Sequence, residues 1–469
     1  MRKRSIKLAA VPVALALVAG ACGSDDDSSS SDDSSEETEG SDAASDEDEG
    51  EGDDGGDDEA ATSGDFDGAE VTITGPERDD PSIAAIQDTL GAFGEENNIS
   101  ISYAGDADWE ANINTQVEGG NPPDISIFPQ PGKLAEFAAD GAVVALTDEV
   151  NATIDEFWDE SYQADGATDD TQYGVPVKTD LKSLVWYKPA AFEEAGYEVP
   201  ETIDDFTALM ATMVEDGNTP LCVGIESGQA TGWTFTDWTE EMVLRLHGGD
   251  VYDQWVNHEI PFNDPQIVEA MQAVVDFWAD ENVFASGGSI AATNFGDNAI
   301  PLSDGQCMMH RQASFFAGFF AEGTAFADPD DPEAIDVFYF PDINGDNPVL
   351  TAGTYAAAFN EDPATMAVLN YMATADYAET RQRIQTEELD GGLSGFLSAA
   401  QGQDPSVYQP LEQGFLEILN DSELARFDAS DLMPADVGAG SFWSEGTSLV
   451  NGTIDAQTAA DNIEASWPS

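Results

Sequence analysis

Two tryptophans lie on either side of an aspartate in the segment that ends at Trp238. Trp233 and Trp238 offer flat apolar faces for the C–H groups of a sugar, and Asp237 offers oxygens that accept hydrogen bonds from hydroxyl groups. Because Gly and Thr are frequent around these residues, the sequence predicts a loop here. Packing of Trp238 in the core is the alternative interpretation. We therefore expect a sugar-binding platform that includes Trp233, Asp237 and Trp238.

Arg311 and Gln312 form a second candidate pair, and they stand out because basic residues are scarce. The chain has 14 Lys and Arg residues against 94 Asp and Glu residues. A guanidinium group can bind two hydroxyl groups at once, and an amide can both donate and accept hydrogen bonds. The sequence predicts that both side chains contact a ligand. An ion pair of Arg311 with a carboxylate inside the fold is the alternative.

The composition excludes several classes of protein. The 469 residues carry a formal charge of −80, so binding to nucleic acid or to anionic lipid headgroups is ruled out. A hydrophobic fraction of 41% is incompatible with a wholly disordered chain. Acidic residues continue throughout the chain, which suits a protein exposed to saline surroundings, where salt screens the repulsion.

The first residues are predicted to direct export. A basic start precedes the apolar run Leu8–Val18, which is too short to span ~30 Å of hydrocarbon. The small residues before Cys22 resemble the lipobox of bacterial lipoproteins, in which the cysteine carries the lipid. We predict a lipoprotein signal peptide at 1–21 and a lipidated Cys22 that begins a disordered acidic linker at 22–65. An ordinary secreted protein is the alternative.

The chain contains three cysteines, and the two besides Cys22 are Cys222 and Cys307. In an exported protein they predict one disulfide, and metal ligation is the weaker alternative, since two thiols alone make an incomplete site.

The region from residue 69 to 139 alternates short apolar runs with helix-period segments. The predicted strands and helices alternate over Ala69–Thr74, Ile83–Phe93, Ile99–Tyr103, Ile113–Val117, Asp124–Phe128 and Gly132–Ala139. This series predicts an α/β fold with a parallel sheet that helices cover on both faces. Because ligands collect at the carboxyl ends of such strands, the segment Pro129–Gly132, which contains Gln130, is a candidate binding loop.

Further elements are predicted in the rest of the chain. The strands are Val175–Val177 and Leu184–Tyr187, and the helices are Pro189–Ala195, Ile203–Val214, Pro265–Glu281, Pro363–Ala375 and Tyr408–Leu419.

Several segments, in the same order along the chain, resemble extracellular solute-binding proteins of ABC transporters. They are Gly120–Ile125, Tyr173–Pro176 with Leu184–Lys188, Thr351–Asn360 and Phe442–Trp443. Gly120–Ile125 has the form G-x-P-P-D-I, and together the segments cover nearly all of residues 66–469. The resemblance is to the maltose- and α-glucoside-binding group, and Glu226–Trp233 and Met309–Ala313 are similar to its α-glucoside branch.

The resemblance implies a two-lobed, periplasmic-binding-protein-like (type II) fold with a hinged interlobe cleft. Lobe 1 would comprise residues 66–174 plus 352–400. Lobe 2 would comprise residues 175–351 plus 401–469.

The same resemblance implies further site residues. Lys178 and Asp180 would lie where the chain first crosses between lobes, with Asp180 as the better acceptor for a sugar. Gly353 and Thr354 would lie at the second crossing, where the backbone can approach a ligand closely. Trp443 matches a position that commonly stacks on sugar in the family.

The implied function is the capture of an oligosaccharide, an α-glucoside, by a monomer that delivers it to an ABC permease. The protein would be anchored by its lipid at the extracellular face of the membrane or in the periplasm. The sequence contains no G-x-x-x-x-G-K-[ST] motif, so a separate subunit would supply the ATPase.

No enzyme motif, metal site or cofactor is predicted. The sequence contains neither G-x-S-x-G nor H-E-x-x-H, and chance pairs of carboxylates are inevitable among 94 acidic residues. The alternatives are the same fold with a peptide or polyamine ligand, and a glycoside hydrolase tethered to the surface.

Overall fold

A computed structural model of the protein describes residues 64–343 and 345–468. The predicted signal peptide, the predicted lipidation at Cys22 and the predicted linker up to residue 63 lie outside these residues. Within the described part of the chain, no helix combines the length and the apolar character needed to cross a bilayer.

The described residues form thirteen strands and seventeen α-helices, which are numbered here in chain order. The strands are β1 (Ala69–Gly75), β2 (Ile99–Gly105), β3 (Ile125–Phe128), β4 (Ala167–Thr168), β5 (Thr171–Gln172), β6 (Gly174–Leu181), β7 (Leu184–Tyr187), β8 (Leu221–Cys222), β9 (Val283–Phe284), β10 (Met309–Arg311), β11 (Asp336–Tyr339), β12 (Val349–Ala358) and β13 (Ala425–Phe427). The helices are α1 (Asp80–Asn97), α2 (Trp109–Glu118), α3 (Pro131–Ala139), α4 (Asp148–Phe157), α5 (Glu160–Asp165), α6 (Pro189–Ala195), α7 (Ile203–Asp216), α8 (Trp233–His247), α9 (Gly249–Val256), α10 (Pro265–Phe277), α11 (Ala299–Ser303), α12 (Pro363–Met372), α13 (Ala375–Glu388), α14 (Pro410–Asp421), α15 (Ala429–Leu432), α16 (Trp443–Val450) and α17 (Ala456–Glu464).

The first sheet has the order β13-β12-β3-β1-β2, and β6 also pairs with β12. Strand β1 is parallel to β2 and to β3, so the parallel arrangement predicted from the alternating pattern is confirmed. Strand β12 is antiparallel to both β3 and β6, which makes the complete sheet mixed. The N-terminal part of the fold is therefore an α/β unit, as the sequence indicates.

The second sheet has the order β11-β7-β10-β8-β9. The disulfide that joins Cys222, at the end of β8, to Cys307, just before β10, closes part of this sheet, with Cα atoms 5.4 Å apart. The predicted disulfide is thus confirmed. Both cysteines are buried among apolar side chains that include Leu184 and Trp186.

Each sheet has its own apolar core. Val71, Ile73 and Ile127 represent the core of the first sheet, and Val185 and Met309 represent that of the second. The exact lobe limits given in the sequence analysis stay a prediction.

The loop predicted around Trp233 is wrong, because helix α8 begins at that residue. Threonines, which normally disfavour helices, are retained in this helix by hydrogen bonds to its own carbonyl groups. The hydroxyl of Thr236 donates to the carbonyl of Trp233 at 2.8 Å, and that of Thr239 donates to the carbonyl of Phe235 at 3.1 Å. All residues from Thr234 to Arg245 are buried, so packing around the whole helix stabilises it against its weak propensity.

The predicted helix at Pro363–Ala375 begins where α12 begins but extends three residues beyond its end. Helix α12 ends at Met372, and α13 begins at Ala375 after Thr374, whose hydroxyl accepts a hydrogen bond from the amide of Tyr377. This N-cap separates the helices. Helix α10 likewise ends at Phe277, four residues before the predicted end.

Candidate ligand-binding site

A cavity of about 420 Å³ lies where the three parallel strands end. Glu77 follows β1, Asp106 follows β2, and Gln130 follows β3, and all three line the cavity. Carboxyl ends of parallel strands meet at one edge of a sheet, which is why these loops converge. The predicted binding loop after β3 thus contributes Pro129 and Gln130 to the cavity wall.

Eight of the predicted ligand-binding residues line this cavity. They are Gln130, Lys178, Asp180, Trp233, Asp237, Gly353, Thr354 and Trp443. They come from distant parts of the sequence, so the fold brings together what the sequence analysis selected separately. Contact of these side chains with a ligand remains a prediction.

Trp238 does not line the cavity. Its side chain is 3% exposed and packs in the core, with its ring 5.6 Å from that of Trp278 and 5.5 Å from that of Phe340. Because α8 is a helix, residues Trp233 and Trp238 lie on different faces, so only Trp233 reaches the cavity. The alternative of a core tryptophan is the one that the structure supports.

Arg311 and Gln312 are also buried away from the cavity. The guanidinium of Arg311 donates to Glu241 at 2.5 Å and lies 3.6 Å from Asp237. The side-chain oxygen of Gln312 accepts a hydrogen bond from the amide of Ala313 at 2.8 Å. The predicted ligand contacts of both residues therefore have no support in this cavity, and the ion-pair alternative describes Arg311.

One group of charged residues at the cavity surrounds Lys178. We call Lys178, Glu77, Asp180 and Arg381 the Lys178 cluster. The ammonium of Lys178 is 3.2 Å from Asp180 and 3.6 Å from Glu77, and Arg381 donates to Glu77 at 2.7 Å. Burial favours the neutral form of Glu77, but Arg381 and Lys178 outweigh it and lower the pKa of Glu77. Two cations and two carboxylates balance each other here.

A second group surrounds Lys182, which follows β6. We call Lys182, Asp237, Asp428, Glu240 and Asp431 the Lys182 cluster. The ammonium of Lys182 lies 2.8 Å from Asp237 and also donates to Asp428. Burial raises the pKa of Asp237 to about 6 despite the opposing effect of Lys182. Burial and the charge of Asp428 raise the pKa values of Glu240 and Asp431 well above the usual range.

Oxygen atoms of Asp237, Glu240 and Asp428 lie within 4.8 Å of one another, as the ligands of a metal ion would. The ammonium of Lys182 already bonds two of these carboxylates, so it supplies the positive charge that a metal would bring. Among the described residues, this cluster is therefore an internal ion pair with excess carboxyl groups.

Aromatic residues form another part of the cavity wall. We call Trp233, Phe295, Phe315 and Phe319 the aromatic wall. The ring of Trp233 lies 4.9 Å from that of Phe295 and 6.0 Å from that of Phe315, and Phe295 lies 5.2 Å from Phe319. These rings give the cavity a broad apolar surface next to the charged clusters, because the ammonium groups of Lys178 and Lys182 lie 5.5 Å and 5.8 Å from the rings of Phe315 and Trp233.

Gly232 allows the helix that carries Trp233 to approach Trp443. This glycine has φ +118°, and a Cβ atom there would lie 2.3 Å from the carbonyl oxygen of Trp443. Only glycine fits both the conformation and the space. The start of α8 therefore packs directly on the start of α16, which places both tryptophans at the cavity.

The sequence analysis missed several residues of the cavity, above all Lys182. The detectable signal was the alternation Lys178, Asp180, Lys182, because every second residue of a strand lies on the same face. Glu77, Asp428 and Asp431 also line the cavity, but each lies at the end of an element that gives no comparable pattern.

Comparison with known proteins assigns the family. The model described as bacterial extracellular solute-binding protein matches residues 76–379. The chain belongs to this family. More fully, it is an extracellular solute-binding protein of ABC transporters, of the family 1 type, and its fold is the two-lobed type II fold with a hinged cleft.

Two curated relatives match this solute-binding protein over most of their length. The osmoprotective compounds-binding protein GgtB of Synechocystis sp. is 36% identical over 414 residues, which are 87% of this chain and 94% of GgtB. The alpha-glucosides-binding periplasmic protein AglE of Rhizobium meliloti is 36% identical over 424 residues, which are 86% of this chain and 88% of AglE.

Among solved structures, the bacterial solute receptor AcbH, described as having an exclusive substrate preference for β-D-galactopyranose, is similar with a TM-score of 0.71. It is 19% identical, and the match covers 85% of this chain and 98% of AcbH. At this identity the likeness supports the fold alone.

Proposed function

We propose that the protein captures a small oligosaccharide, an α-glucoside, in the cavity and delivers it to the permease of an ABC importer. The observation that carries this proposal is that the aromatic wall and two clusters of buried hydrogen-bonding groups line one cavity. Sugar rings have apolar faces and polar edges, so they require both kinds of surface. A volume of about 420 Å³ suits a small ligand of this kind.

Four uncharged residues that line the cavity each have a buried polar atom available for a ligand. These atoms are the side-chain oxygens of Gln130, Thr354 and Gln385 and the indole nitrogen of Trp443, none of which has a hydrogen-bond partner among the described residues. Burying such atoms without a partner is unfavourable. Hydroxyl groups can both donate and accept, so a bound sugar would satisfy all four.

The α-glucoside class is supported by the two relatives at 36% identity, whose names refer to α-glucosides and to osmoprotective compounds. The formal charge of −80 is consistent with life in saline surroundings, where osmoprotective solutes are useful. An α-glucoside that serves as an osmoprotective compound would fit both names.

We extend the proposal to anchoring through Cys22, which follows the predicted signal peptide. Changing Cys22 to Ala should release the protein from the membrane fraction. The affinity of the purified variant for sugar should not change, because the cavity consists of residues from 76 onwards. Loss of affinity would show that the linker is part of the binding site.

Calorimetric titration with trehalose, maltose, sucrose and isomaltose tests the proposed ligand class. Trp233→Ala and Trp443→Ala should each weaken binding at least about tenfold, since ~1.4 kcal/mol corresponds to one decade. Trp467→Ala is the matched control, because Trp467 stacks on His258 outside the cavity. Thermal melts check that each variant is folded. Unchanged affinity in both cavity variants would contradict the proposed platform.

A polyamine ligand is the second candidate, and the many carboxyl groups at the cavity favour it. Spermidine would then bind with an affinity that falls steeply as salt is raised, whereas the affinity for a sugar would change little. Titration of spermidine at two salt concentrations separates these outcomes. Release of free glucose from any of the four disaccharides would instead indicate a hydrolase.

A further inference from the structure

We propose that the cavity accepts uncharged glycosides and discriminates against glycosides that carry a carboxylate or phosphate group. This inference rests on the proposed function, namely that the cavity binds a glycoside. It adds a charge criterion that the names of the relatives do not contain.

The first observation is the excess of carboxyl groups at the cavity. Eight acidic residues line it, namely Glu77, Asp79, Asp106, Glu110, Asp180, Asp237, Asp428 and Asp431. Only three basic residues line it, namely Arg78, Lys178 and Lys182. A negative ligand would enter a region of like charge and low dielectric, where repulsion is stronger than in water.

The second observation is that both buried lysines are already neutralised. Lys178 lies within 4 Å of Glu77 and Asp180, and Lys182 lies within 4 Å of Asp237 and Asp428. A ligand anion could pair with either lysine only by displacing a carboxylate, which would then remain buried without its partner. Such an exchange is unfavourable.

Arg78 is the third base, and it lies at the exposed rim. Within the described part of the chain, no carboxylate lies within 4 Å of its guanidinium, which donates a long hydrogen bond of 3.5 Å to the carbonyl of Ala107. Its charge acts instead on Glu110, whose pKa burial still raises, and on Glu226, whose pKa is lowered by the hydrogen bond from Asn294 and, in smaller part, by Arg78. Arg78 therefore compensates acidic neighbours and offers little net attraction to an anion.

Matched pairs of ligands test the charge criterion. We would compare trehalose with trehalose 6-phosphate, and methyl α-D-glucopyranoside with methyl α-D-glucopyranosiduronate, by calorimetry at pH 7.5 and constant salt. In each pair the sugar framework is kept and a negative group is added. The full-length protein should bind the charged member at least about 100-fold more weakly than the neutral member.

A double variant, Asp79→Asn with Asp106→Asn, should reduce this discrimination at least about threefold while leaving both lysine clusters intact. Asp79 caps α1 by accepting a hydrogen bond from the amide of Ser82, and asparagine can keep that bond. The matched control is Asp264→Asn with Asp455→Asn. Both of these aspartates also cap helices, and neither lines the cavity.

The outcomes separate the two proposals. Equal binding of neutral and charged members overturns the charge criterion and leaves the proposed function standing. The charge criterion is also overturned if the charged members bind tightly and the Arg78→Gln variant loses this binding, because Arg78 would then recruit anions. Equal loss of discrimination in the double variant and its control would show that only overall charge matters, which also contradicts a selective cavity. If neither member of either pair binds, the proposal of a small α-glucoside fails together with the inference.

Discussion

The Lys178 cluster and the Lys182 cluster look alike at first sight and differ in their charge balance. Both lysines are buried, lie four residues apart at the end of β6, and place their ammonium group over an aromatic ring. The distance is 5.5 Å from Lys178 to the ring of Phe315 and 5.8 Å from Lys182 to the ring of Trp233. The same residue type thus occurs twice in similar surroundings.

The difference lies in the partners. Arg381 adds a second cation to the Lys178 cluster, which lowers the pKa of Glu77, whereas the Lys182 cluster places four carboxyl groups around one lysine. The excess cannot remain fully ionised, so Glu240 holds its proton to a much higher pH than usual. Burial nevertheless raises the pKa of Asp180 in the first cluster, and Lys182 outweighs burial and lowers the pKa of Asp428 in the second, so the difference between the clusters concerns the excess carboxyl groups of Glu240 and Asp431.

The largest expected effect follows from removing each lysine. Lys182→Met leaves Asp237 and Asp428 buried without their shared cation, and it should destabilise the protein by roughly 3–5 kcal/mol. Lys178→Met should cost about half as much, because Arg381 still pairs with Glu77. Urea denaturation at pH 7 measures both. Equal losses would mean that Arg381 does not compensate for Lys178.

The second test makes the same type of substitution, glutamate to glutamine, once in each cluster. Glu77→Gln removes a charged partner of Arg381 and Lys178, so it should destabilise the fold by roughly 2–4 kcal/mol at pH 7. Glu240→Gln replaces a carboxyl group that is already neutral, so the change should stay within about 1 kcal/mol. The same denaturation experiment applies. A large loss in Glu240→Gln would show that Glu240 is ionised.

The smallest expected effect is an opposite dependence on pH. Asp237 faces Lys182, Asp428, Asp431, Glu240 and Arg311, and its pKa is raised to about 6. A raised pKa means that the folded state binds an extra proton, so this group contributes stability below pH 4 that is lost as the pH rises through 6.

Asp237→Asn should therefore become relatively more stable than the parent, by roughly 1–2 kcal/mol, between pH 4.5 and pH 7.5. The pKa of Glu77 is lowered, so its contribution is present above the usual glutamate range and lost at lower pH. Glu77→Gln should accordingly compare worse with the parent as the pH rises towards 4.5, and the difference should stay constant above that pH. Parallel slopes for the two variants would remove the proposed difference between the clusters.

The sequence predicts the parallel strands well, because the apolar alternation and helix-period segments between residues 69 and 139 are set by local burial. It predicts α8 poorly, because Gly232, Thr234 and Thr236 locally favour a turn and only tertiary packing makes the segment helical. Local pattern and tertiary packing therefore agree in the first region and conflict in the second.

The site shows the same limit. The scarcity of basic residues correctly marks Arg311 as unusual. It does not reveal that the partner of Arg311 is Glu241, which lies on helix α8. Lys182 differs from Lys178 only through Asp428 and Arg381, which lie some 200 residues further along the chain. The charge balance of each cluster thus arises from contacts that a single sequence does not display.

Strand β12 has a consequence for experiments in solution. All ten of its residues are buried, β6 pairs along one edge, and β3 and β13 pair along the other. Its amide hydrogens can exchange with deuterium only when the sheet opens, which happens mainly in global unfolding. Gly353 and Thr354 line the cavity where one edge of β12 lacks a neighbour, between its pairings with β13 and β3, whereas Tyr355, Ala356 and Ala357 are paired on both edges and will stay protected with or without a ligand. Deuterium uptake will therefore register ligand binding at the cavity loops and be silent along the part of β12 that is paired on both edges.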